Sequence, residues 1–259
     1  MDNIFLDTAS ENRSYAVQAR SDIGGREEQQ DRAYLHVDQN RIFAAVCDGM
    51  GGGPNGGLAS ETAVSSLRTS CLDFPGDEAA DVPGFLSQAM HAADQAVRAA
   101  LPGRGGGTTM TAAIVLHNQM HWVSVGDSRL YIMRSGELLQ ATRDHNYRLR
   151  LDEMLRQGEL TPEAHDAQLS RGDALISYLG MGGISLFDLT QTAFGLRSGD
   201  VVLLATDGLF RALSEDELRE ILRSDLPATQ KADQLLEQAA GTGDRSALDN
   251  TTFIMMEAL

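Results

Sequence analysis

Cysteine is scarce in this sequence, which has two such residues, Cys47 and Cys71, among 259. Their positions do not have the spacing of a zinc site. Each lies within an apolar pattern, as buried cysteines commonly do. We therefore expect two free thiols in a protein of a reducing compartment.

Basic residues are also few, with 21 Lys and Arg against 37 Asp and Glu and a formal net charge of −16 at pH 7. Nucleic-acid-binding proteins need clustered Lys and Arg to hold the phosphate backbone, so this charge argues against DNA or RNA as a partner. Part of the acidic excess would have a function if several aspartates shared one site, because bound cations would then offset their charge.

Long apolar runs are missing as well. The longest runs, such as IFAAVC and VVLLA, are far shorter than the roughly 20 residues that a membrane-spanning helix needs. The N-terminal sequence MDNIFLDTASENRS lacks the basic segment and the following apolar stretch of a signal peptide. We therefore expect a cytoplasmic protein without a membrane partner.

What the sequence does contain is a series of short β-rich runs with helical segments in separate blocks. The runs are 15–19, 33–37, 42–47, 111–116, 120–125, 130–133, 201–206 and 252–256. Helical spacing covers 64–71, 85–100, a segment that starts with the capping-box pair Ser214 and Glu217, and 230–239. This arrangement favours an α+β sandwich over a doubly wound parallel sheet. Residues 144–183 have few apolar runs, and we interpret them as an appendage to the sheets.

Four aspartates occur where predicted strands end or begin. They are Asp48 after the run 42–47, Asp127 after 120–125, Asp207 after 201–206 and Asp249 before 252–256. Each is followed by a small or turn-forming residue, which alone is the pattern of a common turn. Four such positions in one chain predict carboxylates at the rim of the sheets, where their mutual repulsion would require a cation.

Carboxylate ligands without histidine or cysteine select hard cations such as Mg²⁺, Mn²⁺ or Ca²⁺ rather than zinc. Two Mg²⁺ or Mn²⁺ ions about 3.5–4 Å apart can bind a phosphate, activate a water and stabilise an in-line displacement. The residues alone therefore indicate metal-dependent phosphoryl chemistry.

Seven motifs along the chain resemble, in the same order, those of the metal-dependent protein phosphatase family (protein phosphatase 2C), and in particular its compact bacterial members. They are REEQQD at 26–31, FAAVCDGMGG at 43–52, GTT at 107–109, VSVGDSR at 123–129, DH at 144–145, ATDGL at 205–209 and DNTT at 249–252. One such match would be weak evidence, because short motifs recur by chance. Seven in sequence cover nearly the whole chain.

The resemblance implies two core ions, Mn²⁺ or Mg²⁺. Asp48 would bridge them, with the carbonyl of Gly49 as a further ligand. Asp207 and Asp249 would complete the shell of the first ion.

The resemblance implies three further roles. Asp31 would act through metal-bound water, and Asp127 together with Asp207 would form a weaker third metal site. Arg26 would hold the substrate phosphate by a bidentate contact, for which its planar guanidinium group is suited.

The fold and activity implied by the resemblance follow the family. Residues 1–259 would form one domain, a four-layer αββα sandwich of two antiparallel sheets flanked by helices, with 144–183 as a flap beside the cleft. The enzyme would be a monomer that hydrolyses phosphoserine and phosphothreonine on proteins by attack of a metal-bridging hydroxide. Its substrates would be products of a serine/threonine kinase.

One difference from some eukaryotic members concerns the general acid. Position 50 is Met, where those members have a histidine proposed to donate the proton to the leaving group. His145 is the nearest motif histidine, and we expect it to anchor the flap segment through hydrogen bonds rather than to act as the acid.

Three alternatives remain to be weighed. The glycine-rich stretch 49–57 lacks the Gly-Lys-Ser/Thr of a nucleotide-binding loop. Ser128 with His145 as base would leave the other aspartates unexplained, and no Gly-x-Ser-x-Gly elbow surrounds the serine. A catalytically weak, phosphatase-like binding or regulatory module is the third, although such a protein would be expected to have lost a ligand.

Overall fold

Two β-sheets packed face to face form the centre of the computed structural model, which describes residues 3–8, 14–51, 54–74, 81–101, 103, 105–241 and 245–259. Helices cover the outer face of each sheet, so that the layers follow the order helix, sheet, sheet, helix. The predicted α+β sandwich is confirmed. Residues 52 and 53 of the glycine-rich stretch lie outside the described residues.

The first sheet has the strand order β1-β3-β4-β6-β7-β10, with β5 paired to β4 and β11 paired to β7. Its strands are β1 Ile4–Thr8, β3 Asp31–Val37, β4 Arg41–Met50, β5 Gly107–Thr108, β6 Met110–Leu116, β7 Gln119–Val125, β10 Asp188–Leu189 and β11 Phe194–Gly195. The expected antiparallel pairing holds for all of these pairs except β1 with β3, which is parallel. That exception is possible because β2, which lies between β1 and β3 in the sequence, belongs to the second sheet.

The second sheet has the strand order β2-β13-β12-β8-β9, and every pair in it is antiparallel. Its strands are β2 Tyr15–Asp22, β8 Arg129–Arg134, β9 Glu137–Gln140, β12 Val201–Ala205 and β13 Thr251–Ala258. All eight predicted strands are present in the two sheets. The unpredicted strands are short or lie at a sheet edge, where the sequence pattern is weakest.

Seven α-helices and two short 3₁₀ helices accompany the sheets within the described ranges. They are α1 Pro54–Asp73, α2 Val82–Ala100, α3 Tyr147–Gln157, α4 Pro162–Gln168, α5 Asp207–Ala212, α6 Glu215–Arg223 and α7 Ala228–Ala240, with 3₁₀ turns at Leu169–Arg171 and Arg245–Ala247. The predicted capping box is present, because the Ser214 and Glu217 side chains each bond the backbone of the other. No helix in these ranges is long and apolar enough to cross a bilayer.

Three apolar clusters hold the layers together. The middle cluster lies between the sheets and includes Val46 of β4 and Leu204 of β12. The first sheet packs against α1 and α2 through side chains such as Leu67. The second sheet packs against α5, α6 and α7 through side chains such as Leu218 and Phe253. Both sheets are therefore buried on two faces, and polar side chains with access to solvent concentrate at the strand ends.

The predicted flap, residues 144–183, contains α3 and α4 and is fixed to the sandwich near its end. Leu179 exchanges backbone hydrogen bonds with Thr108 of β5 in the first sheet. The buried carboxylate of Asp94 on α2 also accepts a hydrogen bond from the backbone N–H of Gly180 at 2.8 Å. These contacts fix the point where the segment rejoins the body of the protein.

A glycine permits the close approach of two segments that carry predicted site residues. Gly208 follows Asp207 at the start of α5 and packs against the backbone just after Asp249. A Cβ atom at position 208 would lie 2.1 Å from the carbonyl oxygen of Asn250. Any larger residue must therefore separate α5 from the start of β13.

We expect Gly208→Ala to lower the free energy of unfolding by about 1–3 kcal/mol, the usual cost of overpacking. Gly57→Ala is the matched control, because a Cβ there meets no atom closer than 3.9 Å. Since Gly57 lies within α1, that change should raise stability by up to about 1 kcal/mol. Urea unfolding of both variants measures the difference, and equal stability of the two would contradict this account of Gly208.

Candidate active site

A cleft of about 670 Å³ contains all four strand-end aspartates, Asp48, Asp127, Asp207 and Asp249. Arg26 and Gly49 line the same cleft. The carboxylates come from separate places in the sequence, and both sheets contribute to them. The structure thus brings the four aspartates together at positions where strands of the two sheets end or begin.

Asp31 lies beside Asp48, since the two residues are direct partners in the β3–β4 pair. The Asp31 side chain is fully buried, and its Oδ2 accepts a hydrogen bond from Thr206 Oγ1 at 2.8 Å. Its Oδ1 has no hydrogen-bond partner among the described residues. Burial raises the pKa of Asp31 to about 7, and the charges of Asp207 and Asp249 add to the increase while the Thr206 hydrogen bond opposes it.

Asp48 experiences the strongest mutual repulsion in the cleft. Burial raises its pKa well above the usual range, and the carboxylates of Asp31, Asp207, Asp127 and Asp249 each raise it further. Four like charges therefore act on one carboxyl group. This arrangement is unfavourable unless protons or cations neutralise it.

Two arginines partly compensate the charge. Arg26 Nη2 lies 2.7 Å from Asp249 Oδ2, and Arg211 Nη2 lies 2.9 Å from Asp207 Oδ2. Burial still raises the pKa of Asp207, with Arg211 opposing the increase and Asp249 adding to it. The buried Oδ1 of Asp207 has no hydrogen-bond partner in the part of the chain that the structure describes.

Asp127 stands on a tight turn after β7 that His145 holds from behind. The ring Nδ1 of His145 accepts a hydrogen bond from the backbone N–H of Gly126 at 3.2 Å. The backbone N–H of His145 in turn donates to the Gly126 carbonyl at 2.9 Å. His145 is fully buried, and its Nε2 lies 3.4 Å from Asp188 Oδ1. His145 thus contacts the Asp127 turn and is not among the described residues that line the cleft.

Thr109 joins the Asp48 strand to the Asp127 turn. Its hydroxyl accepts a hydrogen bond from the Asp48 N–H at 2.9 Å and lies 2.7 Å from the Ser128 hydroxyl. Its own N–H donates to the Asp48 carbonyl at 2.9 Å. Ser128 is buried and engaged in this pair, so the alternative of a nucleophilic serine has no exposed hydroxyl to act. Thr109 of the GTT motif and Ser128 of the VSVGDSR motif therefore support the carboxylates of Asp48 and Asp127.

Asn250 performs the same task for Asp249 and the loop before β3. Its side-chain oxygen accepts a hydrogen bond from the Gln30 N–H at 2.7 Å, and its side-chain nitrogen donates to the Ile23 carbonyl at 2.8 Å. These two bonds tie the start of β13 to the loop that carries Arg26. The pairing of Arg26 with Asp249 follows from this connection.

The donor set fits hard divalent cations. The cleft offers several carboxylates, and two buried carboxyl oxygens lack partners in the described ranges. Burial, and after it the repulsion between carboxylates, raises the pKa values of Asp31 and Asp48. Among the described residues, no group of three Asp, Glu, His or Cys side chains is already arranged to hold a metal ion. Two of the carboxylates form ion pairs with arginines instead. Cation binding here would exchange arginine partners for ions. Oxygen donors without nitrogen or sulfur suit Mg²⁺ and Mn²⁺.

Several residues of the cleft lining were not predicted as site residues from the sequence. Arg211, and Asp173 and Leu175 of the predicted flap, line the cleft together with the predicted aspartates. The four-residue separation of Asp207 and Arg211 is a usable signal for a helical ion pair, but α5 was not predicted. For the two flap residues the sequence offered no signal.

Comparison with known proteins gives consistent matches over almost the whole chain. A family model described as "Protein phosphatase 2C" matches residues 20–249. Protein phosphatase PhpP of Streptococcus pneumoniae serotype 2 is 32% identical over 244 residues, which are 91% of this chain and 94% of that protein.

Solved structures match as well. The Mycobacterium tuberculosis serine/threonine phosphatase PstP/Ppp has a TM-score of 0.75 at 29% identity, over 95% of this chain and 99% of that one. The PstP catalytic domain in complex with two manganese ions has a TM-score of 0.70 at 28% identity, over 95% and 99% of the two chains.

We expect the metal-free protein to lose stability as the pH rises from about 4 to about 7, between the unfolded and the folded pKa of Asp127. Burial, with the charges of Asp207 and Asp144, raises the pKa of Asp127 to about 7. Because the carboxyl pKa in the unfolded chain is about 3.9, the folded protein binds the proton more tightly within this window. The free energy of unfolding therefore falls with rising pH while the folded protein holds a proton that the unfolded chain has released, and it levels off above the folded pKa.

Asp127→Asn should make this fall smaller, by up to about 1.4 kcal/mol per pH unit, because the amide has no proton to lose. Denaturant unfolding in EDTA at several pH values measures it. Asp225→Asn, at an exposed aspartate away from the cleft, serves as the control and should match the wild type. An unchanged pH dependence in Asp127→Asn would contradict the raised pKa.

Proposed function

The chain belongs to the protein phosphatase 2C family and is a serine/threonine protein phosphatase, and from that premise we propose that its acidic cleft hydrolyses phosphoserine and phosphothreonine on proteins with two Mn²⁺ or Mg²⁺ ions. The observation that carries this proposal is the convergence of four aspartates on one cleft, with buried carboxyl oxygens that lack partners among the described residues. A set of like charges of this kind is suited to divalent cations.

The aspartates would share the ions according to their positions. Asp48 is the residue on which four other carboxylates act, and it would contact both core ions. The carbonyl of Gly49, which also lines the cleft, would be a further ligand. Asp207 and Asp249 would complete the shell of the first ion, and Asp127 with Asp207 would hold a weaker third ion. When bound, such ions bind the phosphate, lower the pKa of a water and stabilise the charge that develops in the transition state.

Arg26 would bind the substrate phosphate. Its side chain is 59% exposed, reaches the cleft and contacts Asp249 through one nitrogen, so the rest of the guanidinium group is open to the cleft. A guanidinium group can present two parallel N–H donors to a phosphate. Asp31 would act through water bound to the ions, since its buried carboxyl group lies beside Asp48 and accepts a hydrogen bond from Thr206.

The wider setting follows from the same premise. We propose that the whole chain, 1–259, works as one phosphatase domain with residues 144–183 as its flap. It would act as a monomer in the cytoplasm on proteins phosphorylated by a serine/threonine kinase. The alternative of a catalytically weak regulatory module gains no support, because the four aspartates of the cleft are all in place.

The first test is the Asp48→Asn variant, which removes one charge at the point where the ions would meet. We expect its Mn²⁺-dependent release of phosphate from a phosphothreonine peptide to fall at least about 10²-fold, the scale of losing one key electrostatic contact. Asp225→Asn, outside the cleft, should keep normal turnover, and EDTA should abolish turnover in both. Circular dichroism checks that the variant is folded. Near-normal turnover with unchanged Mn²⁺ affinity in Asp48→Asn would contradict the two-ion proposal.

His145→Gln tests whether the buried histidine acts as the general acid. Since His145 is fully buried against the Asp127 turn, we expect turnover of a phosphopeptide and of an aryl phosphate to fall by similar, modest factors. A serine leaving group needs a proton in the transition state, whereas an aryl leaving group does not.

Measurement of kcat on both substrates separates the two roles. His91→Gln, at an exposed histidine on α2, is the control. A large loss confined to the phosphopeptide would identify His145 as the acid.

A further inference from the structure

Two cationic side chains are present among the described residues that line the cleft, Arg26 and Arg211. They have the same kind of partner, because Arg26 contacts Asp249 at 2.7 Å and Arg211 contacts Asp207 at 2.9 Å. Their side chains are also similarly accessible, 59% exposed for Arg26 and 52% for Arg211. A dianionic phosphate that enters a cleft of carboxylates needs cations that can turn towards it.

The backbone at Arg211 is firmly placed while its side chain stays accessible. Arg211 lies on α5, a short helix whose residues Asp207 and Leu209 are buried. The neighbouring Phe210 ring packs against the Arg129 guanidinium group, whose Cζ atom lies 3.9 Å from the centroid of the ring. The spacing of four residues puts Arg211 on the same helix face as Asp207. The packing of α5 therefore fixes the backbone from which the Arg211 side chain reaches the cleft.

The charges around Arg211 come from both sides of the cleft. Partial burial lowers its pKa, but the carboxylates of Asp207, Asp127, Asp173 and Asp249 raise it by more. Three of these are proposed ion ligands, and Asp173 belongs to the flap. Arg211 thus stands between the carboxylate cluster and the flap, close to where a substrate phosphate would bind.

We propose that Arg211 is a second phosphate-binding residue of this cleft, alongside Arg26. Binding of cations to Asp207 would release the guanidinium group from its ion pair, and the freed N–H donors would then bind phosphate oxygens. This proposal rests on the proposed function, since it concerns the same phosphate. The opposing possibility is that Arg211 serves only as a counter-ion that stabilises Asp207.

Calorimetric titration of the Mn²⁺-loaded protein with inorganic phosphate tests the role apart from turnover. We expect Arg211→Gln to weaken phosphate binding about tenfold or more, the scale of one hydrogen bond to a charged group. Arg211→Lys should lie between that variant and the wild type, because lysine keeps the charge but loses the fork geometry. Mn²⁺ affinity should not fall in Arg211→Gln, because the arginine competes with ions for Asp207.

Arg219→Gln is the matched control. Arg219 also forms a helical ion pair, with Asp216 on α6, but it does not line the cleft. This variant should bind phosphate as the wild type does. For the substrate, Arg211→Gln should raise KM for a phosphothreonine peptide, whereas the control should leave it unchanged.

The outcomes separate this inference from the proposed function. If the wild type releases phosphate from the peptide and Arg211→Gln binds inorganic phosphate normally, with only its Mn²⁺ affinity or stability altered, Arg211 is a counter-ion and the inference is overturned. If the wild type shows no Mn²⁺-dependent release of phosphate at all, the proposed function fails and the inference fails with it.

Discussion

Repulsion among carboxyl groups in a partly buried cleft is the constraint on which the rest of this structure depends. Asp48 is acted on by four other aspartates, and each raises the pKa of its carboxyl group. Folding must bring these groups together against their charge. The strand ends achieve this because the β-sandwich fixes the backbone on either side, while two arginines and, when present, cations compensate the charge.

The supporting residues are as specific as the carboxylates. Thr109 links the Asp48 strand to the turn that carries Asp127, and Thr206 links Asp31 of the first sheet to the end of β12 in the second. Buried hydroxyl groups that make two or more hydrogen bonds fix a geometry that charge alone would open. The short motifs of the sequence therefore combine ligands with the groups that hold them in place.

Much of the fold and the site could be predicted from the sequence, because their signals are local. Every strand with a full apolar run was predicted, as was the capping box at Ser214. The parallel strand β1 was missed because its pairing depends on where the chain returns, and α5 because six residues carry too little periodicity. The roles of Arg211 and Asp173 depend on tertiary placement. The ion pair of Arg26 with Asp249 likewise joins residues far apart in the chain.

The central claim is that this cleft is built to hold cations, and anomalous X-ray diffraction from crystals soaked in Mn²⁺ tests it most directly. We expect two strong anomalous peaks within ligand distance of Asp48, one of them also shared by Asp207 and Asp249. Arg211 should have moved away from Asp207 in the same crystals. Anomalous peaks confined to other surface carboxylates, with Asp207 and Asp249 still paired to their arginines, would contradict the claim.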